Sequence, residues 1–164
     1  MKKTEIKPSG EVEQVISFML GGDEYGVAIL SVREIIRVGN ITRVPEAPRF
    51  VYGITNLRGH VIPVIHLARQ LGLDWEIEDF KKARIVVVEL GDQTVGILVD
   101  EVPGVLRVPA GSVEPTPELI QSRMRKDYIR GVGKLDGRLV ILLNLETILF
   151  QAEIEELQQI TKEE

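Results

Sequence analysis

The sequence contains no cysteine, only two histidines, few aromatic residues and no long apolar run. Without cysteine, disulfides, thiol catalysis and thiolate metal sites are excluded. Aromatic residues make up 5% of the chain and the formal net charge is -5, so nucleic acid is disfavoured as a partner. No window approaches the roughly 18 consecutive apolar residues of a membrane span, and the first residues lack the apolar core of a signal peptide. We therefore expect a cytoplasmic protein without direct membrane insertion.

The sequence also lacks a catalytic constellation. His60 and His66 would align on an ideal strand, but Pro63 and a predicted helix start at His66 disturb that alignment, so we expect two surface histidines rather than a metal pair. Asp100 and Glu101 are adjacent and diverge on a strand, which disfavours an acid-base dyad. Neither a phosphate-binding glycine loop nor a G-x-S-x-G pattern is present. The sequence predicts no enzyme, no metal and no cofactor.

With 164 residues, 44% of them apolar, the chain can bury a real core as one domain or as two small intertwined ones. Residues 1–13 are polar and carry a Pro-Ser-Gly break, so they are predicted to be a flexible lead. The folded part is predicted over residues 14–150. Residues 151–164 form an acidic helix or tail that we expect to be solvated.

The clearest local pattern is Gly53 to Val64, with the sequence GITNLRGHVIPV. Two glycines bracket Asn56, Leu57 and Arg58, and alternating valine and isoleucine follow. Glycine turns sharply at low steric cost, and β-branched residues suit a pleated surface, so the pattern predicts strand, tight turn, strand. Asn56, Leu57 and Gly59 are interpreted as the structural part of this hairpin. The plain explanation of Arg58 is a turn residue held by backbone carbonyls.

Three further hairpins are predicted at Gly21-Gly22-Asp23, Gly91-Asp92-Gln93 and Asp136-Gly137. The S-x-x-E spacing from Ser31 to Glu34 resembles a capping box, so a short helix or turn is predicted there, with Val32, Ile35 and Ile36 on one face. Other short helices are predicted at His66 to Leu71, near Glu118 to Arg123 and at Leu145 to Phe150.

The order of features occurs twice along the chain. At an offset of 70, Gly26 and Val32 match Gly96 and Val102; at an offset of 78, Gly53 and Gly59 match Gly131 and Gly137. Such a duplication predicts two similar β units of about five strands, near residues 14–82 and 83–150, which close as barrels and pack across a shared apolar face. Whether they exchange terminal elements is left open.

The two copies differ at the hairpin tip, where Arg58 in the first copy replaces Asp136 in the second. The first copy is therefore expected to carry the function. Between Ser31 and Arg69 the chain has six arginines and two acidic residues, which is either a solvated face or an interaction patch for an acidic partner.

Four stretches carry a resemblance to a known family. They are NLRG at Asn56 to Gly59, YGVAILSVREII at Tyr25 to Ile36, ITRVP at Ile41 to Pro45 and VGILVDEV at Val95 to Val102. With them the chain resembles the bacterial chemotaxis coupling family CheW, from about Val15 to Phe150. The resemblance implies two SH3-like five-stranded barrels around a common core.

The resemblance also implies a function. Similar proteins are non-catalytic adaptors that couple the cytoplasmic tips of chemoreceptors, the methyl-accepting chemotaxis proteins, to the histidine kinase CheA. They dock on the regulatory domain of the kinase, which has the same fold. The chain is accordingly expected to be cytoplasmic, recruited to membrane receptor arrays, and a monomer when free. A small β-barrel that binds a ligand or nucleic acid is the alternative.

The site residues follow from the same resemblance. It implies that the helical hairpin of the receptor lies in a groove between the barrels, near five residues: Val32, Glu34, Ile36, Gly53 and Arg58. Arg58 is expected either to tie the structure together or to contact the partner directly. Kinase contact is implied at the barrel ends, without assigned residues.

Overall fold

A computed structural model describes residues 11–118 and 125–149 of the chain. Most of the predicted lead, most of the predicted helix near Glu118 and the whole acidic tail lie outside the described residues. Within these two ranges there are eleven strands: β1 Val12–Leu20, β2 Asp23–Ala28, β3 Val32–Arg37, β4 Val51–Leu57, β5 His60–His66, β6 Arg84–Leu90, β7 Gln93–Val99, β8 Glu101–Pro109, β9 Val113–Glu114, β10 Ile129–Leu135 and β11 Arg138–Leu143. The helices α1 Leu67–Gln70 and α2 Leu145–Leu149 each follow a hairpin.

The strands form two sheets. A six-stranded sheet has the order β8-β1-β2-β11-β10-β9, and a five-stranded sheet has the order β3-β6-β7-β5-β4. The pairs β2–β11 and β5–β7 are parallel, and the other neighbours are antiparallel. The prediction of a mainly β protein is confirmed, and the two sheets fit a pair of SH3-like barrels. Each sheet takes strands from both halves of the sequence.

The duplication read from the sequence recurs in the packing. A Cβ atom placed on Gly26 would lie 2.4 Å from Cγ1 of Val15, and one on the matching Gly96 would lie 2.6 Å from Cγ2 of Ile85. Val15 and Ile85 are themselves 70 residues apart. Both glycines are therefore required because a neighbouring strand residue fills the space of a side chain.

The core is shared between the sheets. Strands β6 and β7 are buried on both faces, and Val86, Val88 and Ile97 pack with Phe18 of β1 and Leu143 of β11. All five side chains are at most 2% exposed. Full burial of one such side chain stabilises the folded state by about 1.5–3 kcal/mol, so residues from both halves stabilise one core.

One predicted element is wrong. Residues 31–36 do not form a helix: a single 3₁₀ turn at Ile29–Ser31 leads directly into β3. Val32 and Ile36 are half-buried and pack against different apolar clusters, because the register shifts between Val32 and Glu34; Ile35 is 37% exposed. Six residues are too few to separate a helical from a strand period, and pairing with β6 decides the outcome.

Candidate functional site

The turn of the first hairpin consists of Arg58 and Gly59, whose φ angles are 50° and 88°. Positive φ at both central residues is the geometry of a type I′ hairpin turn. The backbone N–H of Gly59 donates to Oδ1 of Asn56 at 2.8 Å, and Leu57 is buried against the barrel interior. Asn56 thus fixes the turn by a hydrogen bond at the surface, and Leu57 anchors it by packing in the barrel interior.

Arg58 binds Glu34 of β3 through both guanidinium nitrogens. Its Nη1 donates to Oε1 of Glu34 at 3.0 Å, and its Nη2 donates to Oε2. The hydrogen bond from Arg58 lowers the pKa of the Glu34 carboxyl below its usual value. Because a guanidinium and a carboxylate match in a fixed bidentate geometry, this pair holds the turn against β3.

Gly53 is buried in β4 beneath the preceding loop. A Cβ atom on it would lie 2.5 Å from the carbonyl oxygen of Thr42 and 2.6 Å from Cγ2 of Ile41. Thr42 and Ile54 exchange two backbone hydrogen bonds of 2.8 Å across this point. The close approach that requires glycine is therefore made by the protein's own loop.

The residues named by the resemblance are only partly brought together. Glu34 and Ile36 lie on one face of β3, and Arg58 reaches Glu34 from the β4–β5 turn. A register shift between Val32 and Glu34 places Val32 on the other face, where it packs against the cluster that contains Val88. Gly53 lies on β4, which forms the opposite edge of the five-stranded sheet. The Arg58–Glu34 contact joins these two edges, so Glu34, Ile36 and Arg58 share one surface, while Val32 packs against the larger core cluster and Gly53 lies beneath the Thr42 loop.

A neighbouring cleft of about 640 Å³ was not anticipated from the sequence. Its wall includes Leu30, which is 97% exposed on the 3₁₀ turn just before Val32. Val12 of β1 also lines the cleft and is 36% exposed. On the paired strand β8, Val105 is 50% exposed. Arg107 and Arg130 also line the cleft. The only hint in the sequence was an apolar residue, Leu30, between two predicted strands, and such a residue is equally typical of a buried core position.

Two further exposed apolar residues occupy matching positions in the two halves. Val61 follows the first hairpin turn and is 43% exposed, and Leu139 follows the second and is 60% exposed. Val61 also lines a cleft of about 310 Å³ together with Arg33, Arg58 and Gln93. Each hairpin end thus presents one apolar side chain in a charged or polar setting.

The prediction for the histidines is half wrong. His60 is exposed as expected, but His66 is only 1% exposed and precedes α1. Its Nδ1 accepts the backbone N–H of Arg69 at 3.3 Å, and its Nε2 lies 3.5 Å from Oε1 of Glu76. Burial and the nearby Arg69 guanidinium lower the pKa of His66. His66 is therefore a neutral residue that caps α1.

The described residues offer neither a metal-binding cluster nor a membrane-spanning helix. Residues 11–118 and 125–149 contain no group of three or more histidine, aspartate or glutamate side chains placed to hold a metal ion. Within the same ranges, no helix has both the length and the apolar content needed to cross a bilayer.

Comparison with known proteins gives consistent matches. A family model described as a CheW-like domain matches residues 14–153. The chain is 39% identical over 139 residues to the chemotaxis protein CheW of Helicobacter pylori, covering 85% of this chain and 82% of that relative. It is 34% identical over 164 residues to the chemotaxis protein CheW of Klebsiella aerogenes, covering 97% and 96%.

A solved structure extends the likeness to the fold. The scaffolding protein TtCheW of Thermoanaerobacter tengcongensis matches with a TM-score of 0.76 and 32% identity, over 87% of this chain and 95% of that one. The fold and the relatives together define a chemotaxis adaptor, as the sequence predicted. The chain belongs to the CheW family.

Proposed function

We propose that the chain is a non-catalytic adaptor that holds the helical tip of a chemoreceptor in the Leu30 cleft and the regulatory domain of CheA at its barrel ends. It acts in the cytoplasm and is recruited to receptor arrays by these contacts. The observation that carries the proposal is Leu30, an apolar side chain that is 97% exposed beside the β3 face. The alternative of a ligand- or nucleic-acid-binding barrel is not favoured.

The cleft suits an amphipathic helix. Leu30, Ile29 and Val12 offer apolar contacts, and Arg107 offers a charge at the rim. Among the residues that the structure describes, Arg107 has no carboxylate within 4.0 Å. Helix recognition commonly combines an apolar groove with charged residues at its edge. An acidic residue on the receptor helix is thus the expected partner of Arg107.

Arg58, Val32 and Gly53 are proposed to maintain the shape of the surface beside the Leu30 cleft. Arg58 is already engaged by Glu34, so its proposed role is to hold β3 in place beside the cleft. Val32 packs partly against the core, which fixes the strand that follows Leu30. Gly53 allows the loop at Thr42 to cross β4. These residues then support receptor binding without providing most of its contact area.

The barrel ends are proposed as the kinase surfaces. Val61 and Leu139 are exposed, occupy equivalent positions in the two halves and lie next to the hairpin turns at which β5 and β11 begin. Neither of these two described residues lines the Leu30 cleft. A kinase domain with the same fold has equivalent hairpins, and the end of one such hairpin can pack against Val61 or Leu139. An apolar residue ringed by polar ones is the usual centre of such a contact.

A pair of matched variants tests the proposal. Leu30→Asp is expected to weaken binding to a receptor cytoplasmic fragment at least about tenfold, equivalent to about 1.4 kcal/mol, because it places a charge in the cleft. Leu139→Asp is expected to leave receptor binding unchanged and to weaken binding of the CheA regulatory domain. Both residues are mostly exposed, so the melting temperature of each variant should match the parent. Affinities are measured by calorimetric titration.

Two outcomes of these binding measurements would contradict the proposal. If Leu30→Asp binds the receptor fragment as tightly as the parent while remaining folded, the cleft is not the receptor site. If Leu139→Asp weakens receptor binding instead of kinase binding, the assignment of the two surfaces is reversed and the proposal fails in its present form.

A further inference from the structure

One end of the five-stranded sheet, opposite the turn at Arg58, concentrates positive charge. Strand β3 ends there and β6 begins there, because the two strands pair in antiparallel fashion. Strand β4 also begins at this end, whereas the Arg58 turn follows the other end of β4. Six arginines and lysines lie on the segments that meet here, and we call them the basic end: Arg37, Arg43, Arg49, Lys81, Lys82 and Arg84.

Two arginines of the basic end face each other directly. Arg37 and Arg84 are cross-strand partners at the end of the β3–β6 pair. Nη1 of Arg84 donates to the carbonyl oxygens of Lys81 and Lys82 at 2.9 and 3.1 Å, so the two lysines lie in the turn that leads into β6. The guanidinium of Arg37 makes no hydrogen bond or ion pair with the part of the chain that the structure describes. Four positive charges are thus held on two short neighbouring segments.

The ring of Tyr52 brings the other two arginines to the same place. The guanidinium carbon of Arg43 lies 4.7 Å from the centroid of this ring, and the ring of Phe80, which precedes the two lysines, lies 6.3 Å from it. Arg69, whose guanidinium carbon lies 5.7 Å from the same centroid, donates from Nη1 to the carbonyl oxygen of Arg49 at 3.2 Å. The residues of the basic end are therefore neighbours on one side of the molecule.

Nearby carboxylates do not balance this positive charge. Among the residues that the structure describes, no carboxylate oxygen lies within 4.0 Å of a charged nitrogen of the basic end. Two acids on the same segments are already engaged: Glu76 binds Arg69, and Oδ1 of Asp79 accepts the backbone N–H of Lys81. Apart from Arg107, every other arginine or lysine with a described side chain pairs with a carboxylate. The unpaired cations of an acidic protein are thus gathered at one end.

The repeat shows that the fold does not need this charge. At the offset of 70, Arg37 matches Arg107, and its partner Arg84 matches Gln14, which is the cross-strand partner of Arg107. The first of the two lysines matches Glu11. Like charges placed directly opposite each other destabilise a sheet, yet the same strand pairing forms with a neutral glutamine in the second half. The Arg37–Arg84 pair is therefore retained for a reason other than folding.

The basic end also presents apolar side chains. Phe80 is 42% exposed beside the two lysines, and Ile35 is 37% exposed on β3. Ile35 and Arg37 lie two residues apart in a stretch of regular register, so they project from the same face of the strand. Exposed apolar residues surrounded by charged ones are typical of protein contact surfaces.

We propose that the basic end binds an acidic segment of a partner protein, with carboxylates on its arginines and lysines and an apolar side chain on Phe80. A guanidinium binds a carboxylate in a bidentate geometry, which suits such a segment. The net charge of -5 opposes approach to an extended phosphate surface such as a membrane or a nucleic acid. A short acidic segment experiences mainly the local charges, because salt screens the others beyond about 8 Å.

This surface is separate from those of the proposed function. No residue of the basic end lines the Leu30 cleft or the cleft at Val61, as far as the described residues define them. The proposal therefore stands or fails independently of receptor and kinase binding.

Titration of the full chain with a short synthetic peptide of glutamate and leucine tests the proposal. Arg37→Gln with Lys81→Gln is expected to weaken binding at least about fivefold, since two exposed charge pairs are lost. Arg125→Gln with Lys134→Gln is the matched control, because it also removes one exposed arginine and one exposed lysine. Its affinity should stay within about twofold of the parent. Calorimetry gives the affinities, and amide chemical shifts should move at residues 35–37 and 80–84.

Three outcomes of this titration overturn the proposal. Equal losses in the two double variants would show that net charge alone attracts the peptide. Equal affinity for a second peptide, with serine in place of leucine, would show that Phe80 is not a contact. Binding of phosphatidylglycerol vesicles but not of the peptide, lost in the Arg37 and Lys81 double variant, would identify a lipid surface as the occupant.

The stability of the single variant Arg37→Gln provides a separate check. Its melting temperature should equal or slightly exceed that of the parent, because the substitution removes the repulsion with Arg84 and breaks no described contact. A lower melting temperature would show that Arg37 stabilises the fold, and it would remove the reason for assigning the pair to a partner.

Discussion

The two halves of the molecule use the same turn for different purposes. Arg58-Gly59 and Asp136-Gly137 have nearly equal φ angles, 50° and 88° in the first turn and 47° and 80° in the second. Arg58 pairs with Glu34, whereas the second turn has Asp136 in place of the arginine and Gly104 in place of the glutamate at the offset of 70. The backbone of the repeat is thus common to both halves, whereas the ion pairs differ: the first hairpin is tied to β3 through its turn residue, and the second is tied to β9 and β2 through Lys134 and Arg138 on its strands.

The strongest test of the common backbone concerns its buried glycines. Gly53→Ala is expected to destabilise the fold by about 2–3 kcal/mol, because its Cβ would lie 2.5 Å from a backbone carbonyl that has little room to move. Gly131→Ala meets the equivalent carbonyl of Glu114 at 2.8 Å and should cost less. Urea unfolding of both variants measures the difference. A larger loss for Gly131→Ala would show that the two contacts are not equivalent.

A medium effect is expected from His66, whose counterpart is Asn144. The folded state holds the pKa of His66 below the unfolded value, so only the unfolded chain takes up this proton as the pH first falls. Stability is therefore lost as the pH falls below about 6.5, by at most about 1.4 kcal/mol per pH unit, until the folded-state pKa is reached. His66→Asn, which copies the second half, should remove this loss.

Urea midpoints at pH 7.5 and 5.5 measure the effect of His66. The parent should lose stability between the two values and the asparagine variant should not. The lowered pKa values of Glu34 and Glu76 act at lower pH, because those carboxylates protonate only below their ordinary value of 4.5. Equal losses in both proteins would assign the acid sensitivity to another group.

The smallest effect on stability is expected at the turn itself. Arg58→Asp converts the first tip into the second and places two carboxylates side by side, since Glu34 remains. The melting temperature should fall slightly, because the contact is exposed and largely screened by solvent. Asp136→Arg serves as the reverse control and should change little, since Gly104 offers no partner.

Receptor binding separates the two possible roles of Arg58. If Arg58→Asp lowers receptor affinity and Glu34→Gly lowers it to the same extent, the pair acts by positioning β3. An effect of Arg58→Asp that persists in the Glu34→Gly background identifies a direct contact by Arg58 instead.

Much of the fold follows from local chemistry. Glycine pairs and the Asp136-Gly137 dipeptide identify the turns, and runs such as Arg84 to Leu90 identify buried strands. The duplication and the NLRG motif then indicate the architecture and the family. Because the residues of a motif are adjacent in the chain, they are visible without knowledge of distant contacts.

The missing parts depend on contacts between distant residues. His66 is buried because α1 and the residues that follow it pack around its ring. Leu30 is exposed because no described residue packs over it. Likewise, β3 is a strand because β6 pairs with it. Gly53 could be recognised as constrained, but only the crossing of Thr42 reveals which atoms constrain it.

The interleaved order of the sheets has a mechanical consequence. The hairpin β1–β2 from the first half lies between β8 and β11 of the second, while β6–β7 lies between β3 and β5 of the first. A chain cut between α1 and β6 would leave each fragment with strands that have lost their neighbours, so we expect the fragments to fold only when mixed. By the same reasoning, a displacement applied to one half should reach the other through hydrogen-bonded sheets that contain strands of both, so we expect the two barrels to move together as one stiff block.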